Sequence, residues 1–191
     1  MKEKILLIGG GGHCKSVIDV IEQEGRFTIA GIIDKKELLG QKVLGYKVIG
    51  SDDDLEEFSK EYKYALITVG QIKSNVIRVK LFHKLKDIGY NLPIIISPLA
   101  YVSKYAFIDE GTIVMHGAIV NVDAKISSNC IINTKALIEH DVHIGEHCHI
   151  STATVLNGGT TVENHSFVGS NATTKEYISI SGFIKAGSMN K

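Results

Sequence analysis

The stretch NTKALIEHDVHIGEHCHIS, residues 133–151, repeats one pattern every six residues. An aliphatic residue stands at Ile138, Ile144 and Ile150, and a short side chain follows four positions later, as at Cys148. A helix repeats every 3.6 residues and a strand every two, so neither element accounts for this spacing. A six-residue period is typical of a β-helix, in which each hexad forms one flat side of a coil.

The hexad pattern extends outward through the C-terminal half of the chain. Counted in sixes from Ile96 to Ala186, fourteen of the sixteen positions are Ile, Val or Leu. A β-sandwich would show two-residue alternation broken by irregular turns instead. Three hexads close one triangular coil, so residues eighteen apart are expected to stack at about 4.8 Å. Small or short side chains dominate the second register, which comprises Ala100, Ala106, Thr112, Ala118, Ala124, Cys130, Ala136, Val142, Cys148, Thr154, Thr160, Ser166 and Ala172.

The N-terminal half has a different pattern, in which short apolar runs alternate with longer amphipathic segments. This alternation is typical of a parallel sheet covered by helices. We therefore predict a Rossmann-like α/β domain over residues 1–95 and an all-β domain, the β-helix, over residues 96–191. The predicted strands are KILLIG (4–9), FTIAGIID (27–34) and YALITVG (64–70), and the predicted helices cover residues 14–25, 52–62 and 72–89.

The composition narrows the range of partners. Lysine plus arginine and aspartate plus glutamate each number 21, so we expect neither nucleic acid nor an anionic membrane surface as a partner. No segment approaches the roughly 20 apolar residues of a membrane helix, and the apolar run at 5–8 is too short for a signal peptide. Cys14, Cys130 and Cys148 form no CxxC pair, which favours free thiols in a reducing cytoplasm.

A run of four glycines, Gly9–Gly12, lies between the first predicted strand and the first predicted helix. Backbone N–H groups and the positive end of a helix dipole at such a turn can bind phosphate. Asp34 ends the second strand, where an acidic residue can bind a ribose hydroxyl. Cys14 replaces the third glycine of the dinucleotide fingerprint, so the pattern favours a nucleotide but not a nicotinamide cofactor. The alternative is a turn that only lets a helix pack closely on a strand.

The quoted stretch contains four of the eight histidines, a density that suggests a metal site. The hexad register places none of the four at an inward position, and it puts His143 and His147 on successive faces. A zinc ion needs about four ligands at roughly 2.0–2.3 Å, so we expect no metal. We predict instead that His143, His147 and His165 are surface residues.

His140 is a stronger candidate for chemistry because it lies between Glu139 and Asp141. A carboxylate that holds one ring nitrogen fixes the tautomer and makes the imidazole more basic. Such a group can act as general base when an amine or a hydroxyl attacks a thioester. Cys130 and Cys148, eighteen residues apart, are predicted to stack in the core and not to act as nucleophiles.

The turn GGGGH (9–13), the stretch at 133–151 and the hexads together resemble the NeuD/PglD family of hexapeptide-repeat sugar acetyltransferases. The resemblance covers almost the whole chain, and it implies a left-handed β-helix, acetyl-CoA as co-substrate and a homotrimer. Family members run on into a G-x-P-A segment, whereas this sequence stops at FIKAGSMNK. Coenzyme contacts from that segment therefore stay unassigned.

The resemblance also implies roles for individual residues. His140 would be the catalytic base, Asp141 the carboxylate that raises its basicity, and Asn133 a neighbour of the reacting amine. The nucleotide-sugar contacts would come from Gly11, Gly12, His13, Asp34, Lys35 and Gly70. The contacts to acetyl-CoA and its pantetheine arm would come from His149, Ser170 and Ala186.

The expected function is acetyl-CoA-dependent N-acetylation of a nucleotide-linked 4-amino-4,6-dideoxy sugar, with UDP as the expected nucleotide. One alternative is O-acetylation of a sialic-acid-like sugar by the same base. Another is a nucleotide-sugar-binding protein without acyl transfer. Nucleotidyl transfer is disfavoured because the N-terminal domain is short and has no basic glycine-rich loop.

Overall fold

A computed structural model describes residues 2–191. The chain forms two compact units. The first contains the chain up to Gly70 together with Val76–Pro93, and the second contains Gln71–Asn75 and Ile94–Lys191. The segment Gln71–Asn75 therefore belongs to the second unit, although part of it was predicted to begin a helix of the first.

The first unit is a five-stranded sheet in the order β3-β4-β2-β1-β5, parallel except for the β3–β4 hairpin. The three predicted strands are confirmed, whereas the hairpin was not predicted. The third predicted helix begins at Val76 and not at residue 72. The strands are β1 Glu3–Ile8, β2 Phe27–Ile33, β3 Lys42–Val43, β4 Tyr46–Gly50 and β5 Tyr64–Ile67; the helices are α1 Gly12–Glu24, α2 Leu55–Phe58 and α3 Val76–Ile88, and Lys36–Leu38 and Asp52–Asp54 form 3-10 turns.

The core of the first unit forms because β1, which lies between β2 and β5, is apolar on both faces. Ile5, Leu6, Leu7 and Ile8 of β1 are all buried, as expected for a parallel strand covered on both sides. Cys14 in α1 is buried as well, and burial raises the pKa of its thiol to about 11. The thiol therefore stays protonated near neutral pH and is a poor nucleophile.

The second unit is a parallel β-helix of seventeen two-residue strands in three sheets. From Ile113 to Ile180, each strand pairs with the strand eighteen residues before it, as Leu137 does with Ile119. The strands are β6 Ile95–Ile96, β7 Tyr101–Val102, β8 Phe107–Ile108, β9 Ile113–Val114, β10 Ile119–Val120, β11 Lys125–Ile126, β12 Ile131–Ile132, β13 Leu137–Ile138, β14 His143–Ile144, β15 His149–Ile150, β16 Val155–Leu156, β17 Thr161–Val162, β18 Phe167–Val168, β19 Thr173–Thr174, β20 Ser179–Ile180, β21 Phe183–Ile184 and β22 Met189–Asn190.

The inward column of the coils matches the predicted register. Its aliphatic side chains from Val114 to Val168 are at most 1% exposed, and the small residues of the second register pack against them. Cys130 and Cys148 are free thiols within this core, as predicted. Each thiol donates to a carbonyl oxygen, Cys130 to Gly145 and Cys148 to Glu163, both at 3.1 Å.

The corners of the coils require an unusual backbone conformation. From Gly111 to Tyr177, the residue three positions after each inward residue has a positive φ, between 54° and 69°. Glycine adopts this conformation without strain, and Asn and Asp tolerate it better than other residues. The corner residues are Gly111, Gly117, Asp123, Asn129, Lys135, Asp141, His147, Ala153, Gly159, His165, Asn171 and Tyr177.

The last coil departs from the predicted register. Phe183 pairs with Phe167, sixteen residues earlier, and Ile184 takes the inward place that the hexad count assigned to Ala186. Ala186 is exposed. The prediction was wrong here because the coil shortens by two residues at a turn through Gly182, whose φ is +73°.

Among residues 2–191, no helix combines the length and apolar character needed to cross a membrane.

We expect Ile126→Ala to lower the free energy of unfolding by about 2–5 kcal/mol, because it leaves a cavity in a column with no exposed side. Lys125, the outward neighbour in the same strand, is the control, and Lys125→Ala should change stability by no more than about 0.5 kcal/mol. Urea unfolding measures both values. Equal effects of the two substitutions would contradict the assigned register.

Candidate active site

The glycine turn of the first unit is fixed by Asp34. Its Oδ2 accepts the N–H of Gly10 at 2.6 Å, and its Oδ1 accepts the N–H of Lys35 at 2.7 Å. Gly9 has a φ of +100° and donates its N–H to the carbonyl of Ile33 at 2.8 Å. Both carboxylate oxygens thus bind backbone donors. Asp34 therefore holds the turn in shape, in addition to the ribose contact predicted for it.

A cleft of about 480 Å³ opens at the carboxyl ends of β1, β2 and β5. In a parallel sheet, ligands commonly bind at this edge. Gly9, Asp34 and Lys35 line the cleft together with Ile8, Ile33, Lys36, Glu37, Ser51, Asp52, Asp53, Val69, Ile77 and Leu81. Lys36 and Asp53 form an ion pair of 2.8 Å on its rim.

The other predicted nucleotide-sugar residues lie at the start of α1 and after β5. Gly11 and Gly12 are exposed at the N-terminus of the helix, which has Gly11 as its N-cap. Gly70 follows β5 and lies against His13. A helix N-terminus with exposed N–H groups can bind phosphate. The structure thus brings the predicted residues to one edge of the sheet.

The second unit presents His140 and Asp141 at the corner between β13 and β14. Nδ1 of His140 lies 2.9 Å from Oδ2 of Asp141, and the two side chains are 48% and 56% exposed. Asp141 is a corner residue with φ of 60°, a conformation that Asp tolerates. The hydrogen bond with Asp141 raises the pKa of His140. Nδ1 is therefore assigned the proton, and Nε2 carries the lone pair that can accept one.

Glu139, the other carboxylate beside His140, has a different role. Its Oε2 accepts the side-chain N–H of Asn121 at 3.0 Å and the backbone N–H of His140 at 3.4 Å. In the structure, the carboxylate that binds the His140 ring is therefore that of Asp141. The family resemblance implied the same partner.

Asn133 and His149 bind one another, as part of a network with the segment Gln71–Asn75. The amide of Asn133 lies 3.0 Å from Nε2 of His149, and Nδ1 of His149 donates to the carbonyl of Gln71 at 2.5 Å. His149 is only 6% exposed. The contact between His149 and the coenzyme stays a prediction. For this contact, either Nε2 would bind the coenzyme in place of the Asn133 amide, or the face of the ring would pack against the coenzyme.

One surface prediction was wrong, and it concerns a residue that the segment Gln71–Asn75 contacts. His147 is 3% exposed. Its carbonyl accepts the side-chain amide of Gln71 at 2.9 Å, and its ring stacks on that of His165 with centroids 5.1 Å apart. His143 and His165 are exposed, as predicted. Within residues 2–191, no group of three or more His, Cys, Asp or Glu side chains is arranged to hold a metal ion.

The two remaining coenzyme candidates are near one another on adjacent coils. Ser170 is half-buried, and its hydroxyl lies 2.9 Å from that of Ser151. Its carbonyl accepts the N–H of Gly187 at 2.9 Å, so the turn after Ala186 lies against it. The backbone of Ala186 approaches Gly169 so closely that a side chain at Gly169 would not fit. The predicted groove residues are thus neighbours, and their coenzyme contacts stay predictions.

One feature beside His140 was not predicted. The imidazole lies against Gly158, which occupies the same position one coil later. Gly159 follows and lies under the ring of Tyr177. Counting eighteen residues from His140 and Asp141 would have identified both glycines from the sequence.

Comparisons with known proteins agree with this arrangement. Residues 4–85 match the PglD N-terminal domain family. A solved structure of a perosamine N-acetyltransferase mutant from Caulobacter crescentus, in complex with CoA and GDP-perosamine, is 33% identical; the alignment covers 97% of this chain and 87% of that chain with a TM-score of 0.91. The acetyltransferase domain of PglB from Neisseria gonorrhoeae is 30% identical over 98% and 91% of the two chains, with the same TM-score.

One curated protein is also similar in sequence. An uncharacterized protein of Acanthamoeba polyphaga mimivirus is 32% identical over 122 residues, which are 64% of this chain. The chain spans 22% of the length of that relative.

An α/β unit with a glycine turn, joined to a left-handed parallel β-helix that carries an exposed His–Asp pair, is the architecture of the hexapeptide-repeat sugar acetyltransferases to which this chain is similar. Within this class of enzymes, the chain belongs to the NeuD/PglD family of sugar acetyltransferases. The family and fold predicted from the sequence are confirmed.

We expect Asp141→Asn to lower the pKa of His140 toward its ordinary value of 6.5, because the carboxylate is the main cause of the upward shift. NMR titration of the His140 ring protons measures the change. Since catalysis by a base needs the neutral imidazole, the acidic limb of the rate profile should move to lower pH while the plateau rate falls. Glu139→Gln is the control and should shift the pKa less; an unchanged pKa in Asp141→Asn would refute the assignment.

Proposed function

We propose that the protein transfers the acetyl group of acetyl-CoA to the amine of a nucleotide-linked 4-amino-4,6-dideoxy sugar. The observation that carries this proposal is the 2.9 Å hydrogen bond between Nδ1 of His140 and Asp141, which leaves the lone pair of Nε2 able to accept a proton. Solved relatives support it, since one binds CoA and GDP-perosamine and the PglB domain binds acetyl coenzyme A.

The reaction is derived from the chemistry of these groups. As the neutral amine nitrogen attacks the thioester carbon, a C–N bond forms and Nε2 of His140 takes a proton from nitrogen. The tetrahedral intermediate then collapses, the C–S bond breaks, and the CoA thiolate leaves and receives a proton from the imidazolium. Asp141 stabilises the imidazolium between these steps. Backbone N–H groups of the coils are candidates to bind the oxyanion.

The first unit would bind the nucleotide. The exposed N–H groups at Gly11 and Gly12 suit a diphosphate, and the cationic side chains of Lys35 and Lys36 are at the same edge. We keep UDP as the expected nucleotide and include GDP in the test, because the perosamine N-acetyltransferase structure contains GDP-perosamine. Acetyl-CoA and nucleotide sugars are cytoplasmic metabolites, which supports a cytoplasmic location.

A homotrimer is part of this proposal. The outward residues of β7, β10, β13 and β16 form an apolar stripe, namely Tyr101, Ile119, Leu137 and Val155. Tyr101 is 60% exposed and Ile119 is 40% exposed. The outward residues of β11, β14, β17 and β20 are polar instead: Lys125, His143, Thr161 and Ser179. Cyclic packing of three copies would cover the apolar stripe.

We expect His140→Ala to lose turnover by roughly 10²–10⁴-fold, the range for loss of a general base, while acetyl-CoA binding persists. Steady-state kinetics and calorimetry measure the two quantities. His143→Ala is the matched control, because His143 is exposed on the next face, and it should keep its turnover. Unchanged turnover in His140→Ala would remove His140 from the mechanism.

The substrate class is tested by a panel of acceptors assayed with acetyl-CoA. We expect N-acetylation of UDP- or GDP-linked 4-amino-4,6-dideoxy sugars, detected by mass spectrometry. Acetylation of a free or CMP-linked nonulosonic acid on oxygen would favour the sialic-acid alternative. Binding of nucleotide sugars without acetyl-CoA binding would favour a non-catalytic role.

We expect sedimentation velocity to show a trimer, and we expect Ile119→Glu to dissociate it because the substitution buries a charge in the proposed interface. Ser179→Glu adds the same charge on the polar face and should leave the trimer intact. A wild-type monomer, or an Ile119→Glu variant that stays trimeric, would contradict the proposed interface.

A further inference from the structure

We propose that Gly158 is a positioning residue for His140: the absence of a side chain at Gly158 creates the space in which the basic edge of the imidazole lies. The proposal rests on the proposed function in so far as it concerns turnover. It adds a specific structural cause for the orientation of the base, on a coil different from the one that carries His140.

The contact involves the reactive side of the ring. A Cβ atom built on Gly158 would lie 2.6 Å from Cε1 and 2.7 Å from Nε2 of His140. Ordinary contacts of carbon with such atoms need about 3.5 Å or more. Any side chain at Gly158 therefore pushes the imidazole away from its place. Asp141 holds Nδ1 of the same ring at 2.9 Å, and Nδ1 is itself 3.3 Å from that Cβ position. The ring thus lies against both a carboxylate and a glycine.

The backbone does not require glycine at this position. Gly158 lacks the positive φ of the corner residues, unlike Gly159 with its φ of +68°. The backbone of Gly158 makes the ordinary coil contact, in which its carbonyl accepts the N–H of Tyr177 at 2.9 Å. An alanine could make the same hydrogen bond.

The other coils show that this position accepts many side chains. The residue one coil before Gly158 in the same column is His140, and the residue one coil after it is Glu176. Among the regular hexads, the equivalent positions hold Lys104, Glu110, His116, Val122, Ser128, Thr134, His140, Glu146, Thr152, Gly158, Asn164, Ser170 and Glu176. Glycine occurs there once, directly over the imidazole. The requirement for glycine therefore comes from His140 and not from the coil.

The test is a kinetic comparison of Gly158→Ala in two backgrounds. Alanine keeps the backbone N–H, so any oxyanion contact from this amide is preserved and only a methyl group is added. In the wild-type background we expect kcat to fall by about 10²-fold, the scale of a 1 Å misplacement of a catalytic group, with little change in the KM for acetyl-CoA. In the His140→Ala background we expect no further loss, because the imidazole is already absent.

The alternative is that the methyl group blocks the substrate. In that case Gly158→Ala would lower the residual rate of His140→Ala by the same factor as in the wild type, and the proposal would be overturned. A wild-type kcat for Gly158→Ala would overturn it as well. Glu176→Ala changes an exposed residue in the same column, two coils from His140, and should leave kcat unchanged.

Unfolding midpoints provide a readout that is independent of activity. Gly158→Ala should lower the thermal midpoint in the presence of His140 and have no such effect in His140→Ala. Equal destabilisation in both backgrounds, or failure of both variants to fold, would assign Gly158 a structural role unrelated to His140. If His140→Ala retained turnover, the proposed function would fail, and the stability comparison would still decide whether Gly158 makes room for the ring.

Discussion

The eighteen-residue period of the coils is the constraint on which the second unit depends. Each two-residue strand hydrogen-bonds to the strand of the neighbouring coil, so a residue lies over the one eighteen positions before it. The same ladder that stacks Ile138 between Val120 and Leu156 in the core also stacks His140 against Gly158 outside it. A change in coil length would therefore alter both the core packing and the geometry of the candidate base.

In each unit, a carboxylate organises the candidate residues through backbone geometry. Asp34 uses its two oxygens to hold the N–H groups of Gly10 and Lys35, which gives the glycine turn one shape. Asp141 adopts the left-handed conformation that the corner demands and bonds the ring of the preceding residue. Preorganisation of this kind is effective because the groups need not move when a ligand or a transition state forms. The two units achieve this preorganisation with different elements: the first uses the end of a strand, and the second uses the corner of a coil.

The sequence predicts features that follow from the period and misses those that depend on contacts between distant residues. The inward positions from Val114 to Val168 follow from counting in sixes, and the His140–Asp141 pair follows from adjacency. The contact to the carbonyl of His147 does not, because it comes from Gln71, 76 residues away. The hairpin of β3 and β4 was missed because β3 has only two residues, too few to show the alternation of a strand. Ala186 was misplaced because nothing in the hexad count signals the shorter turn at Gly182.

The shortened last coil indicates where this domain tolerates insertions and deletions. A residue gained or lost between His140 and Gly158 would rotate every following side chain by one position, expose an aliphatic residue and place a side chain against the imidazole. The step from Phe167 to Phe183 omits two residues without moving the pairs of earlier coils. Homologous chains are therefore expected to conserve coil length around the His–Asp corner more strictly than residue identity there, and to vary in length beyond Ile180.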